Sequence, residues 1–126
     1  MTNKKTILAI EDDDTIRGLL GRLLEDYTVI AVASLSEGRK VIVERQVEID
    51  LVLSDIQLDD GYSPSLHAEV SPIIQAHNII WLAMTGYARD EHLHYYRSRG
   101  VQIVDKPFNR ARLLEAVEEA LLRPCA

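Results

Sequence analysis

Short apolar runs alternate along this chain with segments whose apolar residues recur every three or four positions. Ile7-Leu8-Ala9-Ile10 is the first run and is cut off by the acidic cluster Glu11 to Asp14. After it, Ile16, Leu19, Leu20, Leu23 and Leu24 fall on one helical stripe. Asp13 or Asp14 is placed to cap that helix, where acids also suit its dipole. Thr28 to Val32 is β-branched and predicts a second strand. Ser36 is expected to open a second helix running to about Glu44. Ile49 to Ser54 contains Leu51-Val52-Leu53, a third buried strand, with Asp55 directly after the stretch.

The stretch after Asp55 carries more breakers. Asp59-Asp60-Gly61 signals a turn. Pro64 and Pro72 divide the residues between that turn and the next apolar run. Ser71-Pro72 has the form of a helix start, so the third helix is expected to be short, late or broken at Pro72. Ile79 to Met84 predicts a fourth strand that ends at Thr85-Gly86. Arg89 to Arg99 predicts a helix closed by Gly100, and Val101 to Val104 a fifth strand. Asn109 can cap a last helix with its stripe at Leu113, Leu114, Val117, Ala120 and Leu121, and Pro124 stops it. Five apolar strands separated by helices imply an α/β sandwich around a parallel sheet.

Composition narrows the picture. The 126 residues are 47% hydrophobic and 27% charged, a globular balance of one domain's length. A net charge of -6 argues against direct nucleic-acid binding and against anionic membrane surfaces. The lone cysteine, Cys125, permits no internal disulfide. Ile7 to Ile10 is too short for a signal-peptide core or a membrane span, so a cytoplasmic protein is expected. The Met1 start and the short tail after Leu122 lean towards a stand-alone protein.

In a parallel α/β sheet, ligands bind beyond the carboxyl ends of the strands. Glu11 and Asp12 come after the first strand here, Asp55 after the third, Thr85 after the fourth, and Asp105 and Lys106-Pro107 after the fifth. The carboxylates of Glu11, Asp12 and Asp55, the Thr85 hydroxyl and Lys106 would therefore converge on one edge. Neighbouring carboxylates raise one another's pKa, and a hard cation such as Mg²⁺ removes the conflict. An aspartate beside such a metal can form an aspartyl phosphate. A lysine and a threonine hydroxyl would then hold the transferring oxygens.

The motifs Ile7-Leu8-Ala9-Ile10-Glu11-Asp12, Leu51-Val52-Leu53-Ser54-Asp55, Met84-Thr85-Gly86 and Lys106-Pro107-Phe108 together resemble response-regulator receiver domains of two-component systems. The likeness runs from about residue 5 to 122 and would make residues 1–126 a single receiver domain. It implies a flavodoxin-like (βα)5 sandwich with strand order 2-1-3-4-5. Asp55 then resembles the phosphoacceptor. Asp12 would be the direct metal ligand, Glu11 would act mostly through water, and the Gln57 backbone carbonyl would join the Mg²⁺ set. Thr85 and Lys106 would sense the phosphoryl oxygens, and the Lys106–Pro107 bond would be cis. Implied partners are a histidine kinase or histidine phosphotransfer protein and an unidentified downstream protein. Homodimerisation through the fourth helix, fifth strand and fifth helix stays open. The switch would be a signalling device, catalysing only its own phosphorylation and dephosphorylation.

Three positions depart from the family pattern. Asp59 stands where a loop proline is common, Ile103 where the switch aromatic belongs, and Pro64 and Pro72 interrupt the third helix region. These touch the output face rather than the chemistry. Relay through a rotating aromatic cannot operate at Ile103, and Tyr95 or Tyr96 is the substitute the sequence offers. Two other readings remain: a degenerate receiver that binds partners without phosphorylation, and a haloacid-dehalogenase-type phosphatase. The second would need an Asp-x-Asp motif after the first strand, which Asp12-Asp13-Asp14-Thr15 matches only loosely. His92 and His94, two apart, face different ways and read as solvated surface. His67 and His77 lack partners at useful spacing. Trp81 reads as core, Tyr95 and Tyr96 as packing residues, and Cys125 as part of a frayed tail. Gln57 and Tyr87 stand where side chains can control water's access to a phosphoryl group.

Overall fold

The computed structural model describes residues 4–86 and 88–122. Expectations about Met1, Tyr87, Pro124 and Cys125 lie outside the described residues. The elements run β1 (Thr6–Ile10), α1 (Asp14–Leu23), β2 (Thr28–Val32), α2 (Leu35–Arg45) and β3 (Leu51–Asp55). Then come β4 (Gln57–Leu58), β5 (Gly61–Tyr62), α3 (Ser63–His77), β6 (Ile80–Thr85), α4 (Asp90–Arg97), β7 (Gln102–Asp105) and α5 (Arg110–Leu122). Five strands form one sheet in the order β2-β1-β3-β6-β7, every neighbouring pair parallel. β6 and β7 are the fourth and fifth strands expected from the sequence, so the order 2-1-3-4-5 holds. β4 and β5 form a separate antiparallel hairpin with Gln57 opposite Tyr62. Two-residue strands carry no readable periodicity, and only the turn signal at Asp59-Asp60-Gly61 marks this pair in the sequence.

Alternation along the strands divides the core in two. Ile7, Ala9, Leu51, Leu53, Leu82, Met84 and Val104 pack with Leu20 of α1 and with Leu113 and Val117 of α5. Leu8, Ile10, Val52, Trp81 and Ala83 face the other way, onto Ile42 of α2, Val70 and Ile74 of α3 and Tyr96 of α4. Complete burial of such side chains stabilises by roughly 1.5–3 kcal/mol each. β3 is buried at all five positions, as a central parallel strand covered on both faces must be. α2 lies so near the sheet that a Cβ on Gly38 would come within 2.5 Å of Ile10 Cδ1.

The helix starts obey local chemistry. Asp13 caps α1 by accepting the Ile16 N–H at 2.9 Å. α2 begins one residue before the expected Ser36, because Ser34 and Glu37 form a reciprocal cap. Ser34 Oγ accepts the Glu37 N–H at 3.1 Å, and the Glu37 carboxylate accepts the Ala33 N–H at 2.8 Å. Asn109 accepts the Arg112 N–H at the start of α5, as expected. Gly100 has φ +72°, the left-handed conformation expected after α4.

The third helix corrects the expectation from sequence. α3 is neither late nor broken: it runs 15 residues from Ser63 straight through Pro72. Pro64 sits in its first turn, where a missing N–H is harmless. At Pro72 the ring costs about 3 kcal/mol in a helix interior. Ser71 does not cap a new helix; its hydroxyl donates to His67 O at 2.9 Å. Leu66, Val70 and Ile74 are buried along one face of α3, and their burial outweighs the local penalty. Asn78, at φ 53°, ends the helix.

Candidate functional site: an acid cleft at the sheet edge

Parallel register lines up the carboxyl ends of the strands. Ile10 lies beside Ser54, Asp55 beside Met84, and Thr85 beside Asp105. The residues that close these strands or come next in the chain therefore meet in one open cleft of about 350 Å³. It is lined by Glu11, Asp12, Asp55, Gln57, Thr85 and Lys106 among others. Glu11, Asp12 and Asp55 each place a carboxylate oxygen within 4.8 Å of the others. Lys106 Nζ reaches Glu11 Oε1 at 2.6 Å and Asp55 Oδ1 at 2.5 Å. Glu11 is fully buried and Asp55 is 4% exposed. Asp105, the other acid at this edge, is exposed. The Lys106–Pro107 bond is cis, as expected.

The charges here are unbalanced. Burial, and a hydrogen bond to the neighbouring Glu11 carboxyl, push Asp55 up to about 8 despite the pull of Lys106. Burial also works against the Glu11 charge. Hydrogen bonds from Asp55, Lys106 and the Asp13 backbone nevertheless hold Glu11 below the usual carboxylate range. The two carboxyl groups are thus driven in opposite directions, Asp55 towards its neutral form and Glu11 towards its charged one. Asp12 is raised by burial and by the Asp59 charge nearby. Lys106 is held in its charged form: burial opposes the charge, and the hydrogen bonds to Asp55 and Glu11 overcome it.

An all-oxygen donor set with surplus negative charge suits a hard divalent cation. Thr85 Oγ1 is buried and makes no hydrogen bond within the protein, an orphaned polar atom on the cleft wall. Both observations fit a cation together with an oxyanion. Gln57 lies at the cleft in β4 with its residue exposed. Of the acidic cluster after β1, Glu11 and Asp12 face the cleft's carboxylate group. Asp13 is spent on the α1 cap, and Asp14 pairs with Arg17.

The loop after β3 brings in a residue with no mark in the sequence beyond its turn. The Asp59 N–H donates to Asp12 Oδ2 at 2.9 Å, and the Asp60 carboxylate accepts the N–H groups of Leu35 and Ser36 at 3.0 and 3.1 Å. The turn signal at Asp59-Asp60-Gly61 is readable, but these partners lie 47, 25 and 24 residues away. Gly61, at φ 138°, supplies the backbone conformation that closes the turn.

A second polar cluster lies between α3 and α4. His67 is buried, and its Nδ1 lies 2.8 Å from the Tyr95 hydroxyl. Burial, helped by the Arg99 charge, lowers it to about 4. Tyr96 is fully buried with its hydroxyl 2.6 Å from Ser63 Oγ, and desolvation pushes its ionisation upward. His67 therefore has partners after all, supplied by another helix. Tyr95 and Tyr96 pack as expected, and Trp81 is core. His92 is not the solvated residue the sequence suggested, because its ring stacks on Tyr62 with centroids 4.2 Å apart. His94 is exposed as expected. No helix among the described residues is long and apolar enough to cross a membrane.

Residues 7–118 match the family described as the response regulator receiver domain. Over 118 residues the chain is 30% identical to the transcriptional regulatory protein GlrR of Escherichia coli (strain K12), with 91% of this chain and 26% of that protein aligned. It is 28% identical over 125 residues to the sensor kinase CckA of Brucella abortus (strain 2308), covering 96% of this chain and 13% of the kinase. The chain thus spans about a quarter or less of these curated relatives. A solved CheY-like receiver domain protein from Methanospirillum hungatei JF-1 superposes with a TM-score of 0.81 at 28% identity, covering 94% of each chain.

Proposed function

Because the chain belongs to the response-regulator receiver family, we propose that it accepts a phosphoryl group on Asp55 in a Mg²⁺-holding cleft and thereby switches partner binding. One observation carries this reading. Asp55 is a buried carboxylate with a lysine ammonium 2.5 Å away and an unpaired threonine hydroxyl on the same cleft wall.

Asp12, Asp55 and the Gln57 carbonyl, with Glu11 acting through water, are the residues that would hold the cation. When bound, Mg²⁺ supplies charge neutralisation for the acidic group and the phosphoryl oxygens. The chain's own residues do the rest. An Asp55 oxygen attacks phosphorus, and the phosphorus–nitrogen bond of the donor phosphohistidine breaks. Its electron pair passes to the imidazole. Asp55 attacks as the carboxylate, having first released its proton to solvent water. Lys106 pairs with the phosphoryl oxygens, and Thr85 turns its hydroxyl to one of them. The movement of Thr85 biases the α4–β7–α5 surface towards one of two arrangements.

The donor in this reading is a histidine kinase or phosphotransfer protein, and the target is a downstream protein. Residues 1–126 act as one receiver domain in the cytoplasm, without direct contact to nucleic acid or membrane. The α4–β7–α5 surface is also where a homodimer would form. A haloacid-dehalogenase-type phosphatase fits less well. Its paired acids after β1 would be Asp12 and Asp14, and Asp14 is exposed, pairs with Arg17 and does not line the cleft.

Intact mass after incubation with acetyl phosphate tests the reading. A Mg²⁺-dependent phosphoryl adduct is expected on the native protein and none on Asp55→Asn. An adduct of equal yield on the variant overturns the assignment. No adduct on the native protein leaves a phosphorylation-independent scaffold.

A further inference from the structure

The turn between β4 and β5 touches two parts of the molecule at once. On one side Asp60 lays its two carboxylate oxygens on the N–H groups of Leu35 and Ser36, at 3.0 and 3.1 Å. On the other, the Asp59 N–H meets Asp12 Oδ2 at 2.9 Å. α2 does not need Asp60 for its cap, because Ser34 and Glu37 already form the reciprocal pair there. Asp60 occupies the N–H groups this pair leaves over, at the positive end of the helix dipole. The free backbone amides of α2 thus serve as a fixed anchor for the turn.

We propose that Asp60 is a positioning residue for the cation site, clamping the β4–β5 turn to α2 so that the Asp59 amide orients the Asp12 carboxylate. This rests on the reading of the cleft as a Mg²⁺ site. The logic is that of a ligand's own hydrogen-bond partner. A carboxylate with one oxygen already fixed by an N–H presents the other in a set direction, and less freedom is lost when a cation binds. The lever is short. Asp60 is the next residue after Asp59, and Gln57, the other proposed contributor from this loop, lies opposite Tyr62 in the same hairpin. A turn released from α2 loosens both contributions together.

Mg²⁺ titration by isothermal calorimetry on the unphosphorylated protein reads this directly, without any phosphoryl transfer. Asp60→Ala is expected to weaken Mg²⁺ binding roughly tenfold, the size seen when a ligand's hydrogen-bonding partner is lost. The rate of phosphorylation by acetyl phosphate should fall at low Mg²⁺ and recover at saturating Mg²⁺. Ser34→Ala is the control: it weakens the α2 cap without touching the turn, and should leave Mg²⁺ affinity unchanged. Hydrogen exchange over residues 57–62 of the metal-free protein should quicken in Asp60→Ala and not in Ser34→Ala. Should Asp60→Ala fail to fold, Asp60→Asn carries the test, since its single carbonyl oxygen keeps one of the two contacts and predicts an intermediate loss. Native Mg²⁺ affinity in the folded Asp60 variant, or an equal loss in Ser34→Ala, overturns the clamp. A native protein that binds no Mg²⁺ overturns the reading of the cleft itself, and the clamp with it.

Discussion

The acid cleft and the aromatic cluster between α3 and α4 both bury ionisable groups, but they do so with opposite sign. In the cleft, burial holds a proton on Asp55, up to about 8. In the cluster, burial strips the proton from His67, down to about 4. Both groups are neutral near pH 7 for the same reason, the cost of an uncompensated charge away from water. The cleft is open and surrounded by further charges, so a cation or an oxyanion can change its state. In the cluster, His67 is instead surrounded by the rings of Trp81, Tyr95 and Tyr96, with centroids 5.1–5.7 Å away. Similar burial gives an open, charged cleft in one place and a packing element in the other.

The largest effect should come from removing the cleft's titration. Asp55 has a raised folded value. The stability it contributes is complete below its ordinary 3.8 and is lost as pH rises through about 8. Asp55→Asn should therefore make the metal-free protein more stable by about 2–3 kcal/mol at pH 8, less than the shift alone implies because Glu11 loses a hydrogen bond that favours its charge, with the gain vanishing near pH 4. Urea denaturation across that range checks it, and a variant less stable than native at pH 8 would break the contrast.

His67 should show the reverse dependence. Its folded value is lowered, so its contribution is complete above its ordinary 6.5 and is lost as pH falls through about 4. His67→Gln should flatten the acid limb of the stability curve by about 2 kcal/mol after allowance for solvent screening. An unchanged limb would mean that His67 stays neutral in acid or reaches water freely.

The smallest effect sharpens the line between the two regions. Tyr96→Phe removes the hydroxyl that meets Ser63 and should cost about 1 kcal/mol, read by urea denaturation. Acetyl phosphate labelling of Asp55 should be unaltered. A slowed reaction would show that the cluster and the cleft are one unit.

The same contrast explains how much is legible in the sequence. Each cleft residue closes a strand or comes just after one, and its type is dictated by the chemistry of charge. Glu11, Asp12, Asp55, Thr85 and Lys106 can therefore be placed on one edge from apolar runs and motifs alone. Strand order is readable only through the resemblance those motifs carry, since apolar runs alone give the strands but not their neighbours. The course of α3 is not, because Pro72 obeys a local rule that the burial of Leu66, Val70 and Ile74 overrides. His67 looks partnerless because Tyr95 is 28 residues away on another helix. His92 looks solvated because nothing in its own helix announces the Tyr62 ring. Asp60 reads as an ordinary turn acid, since its amide partners belong to α2.

The contact between Lys106 and Glu11 joins residues 95 positions apart. A chain emerging from the ribosome has already exposed Glu11, Asp12 and Asp55 long before the cation that balances two of them is made. Until β7 docks against β6, those acids belong to an unfinished sheet and repel one another. The cleft is thus complete only once residue 106 has been made, and it arrives with the closing of the sheet rather than with any one segment.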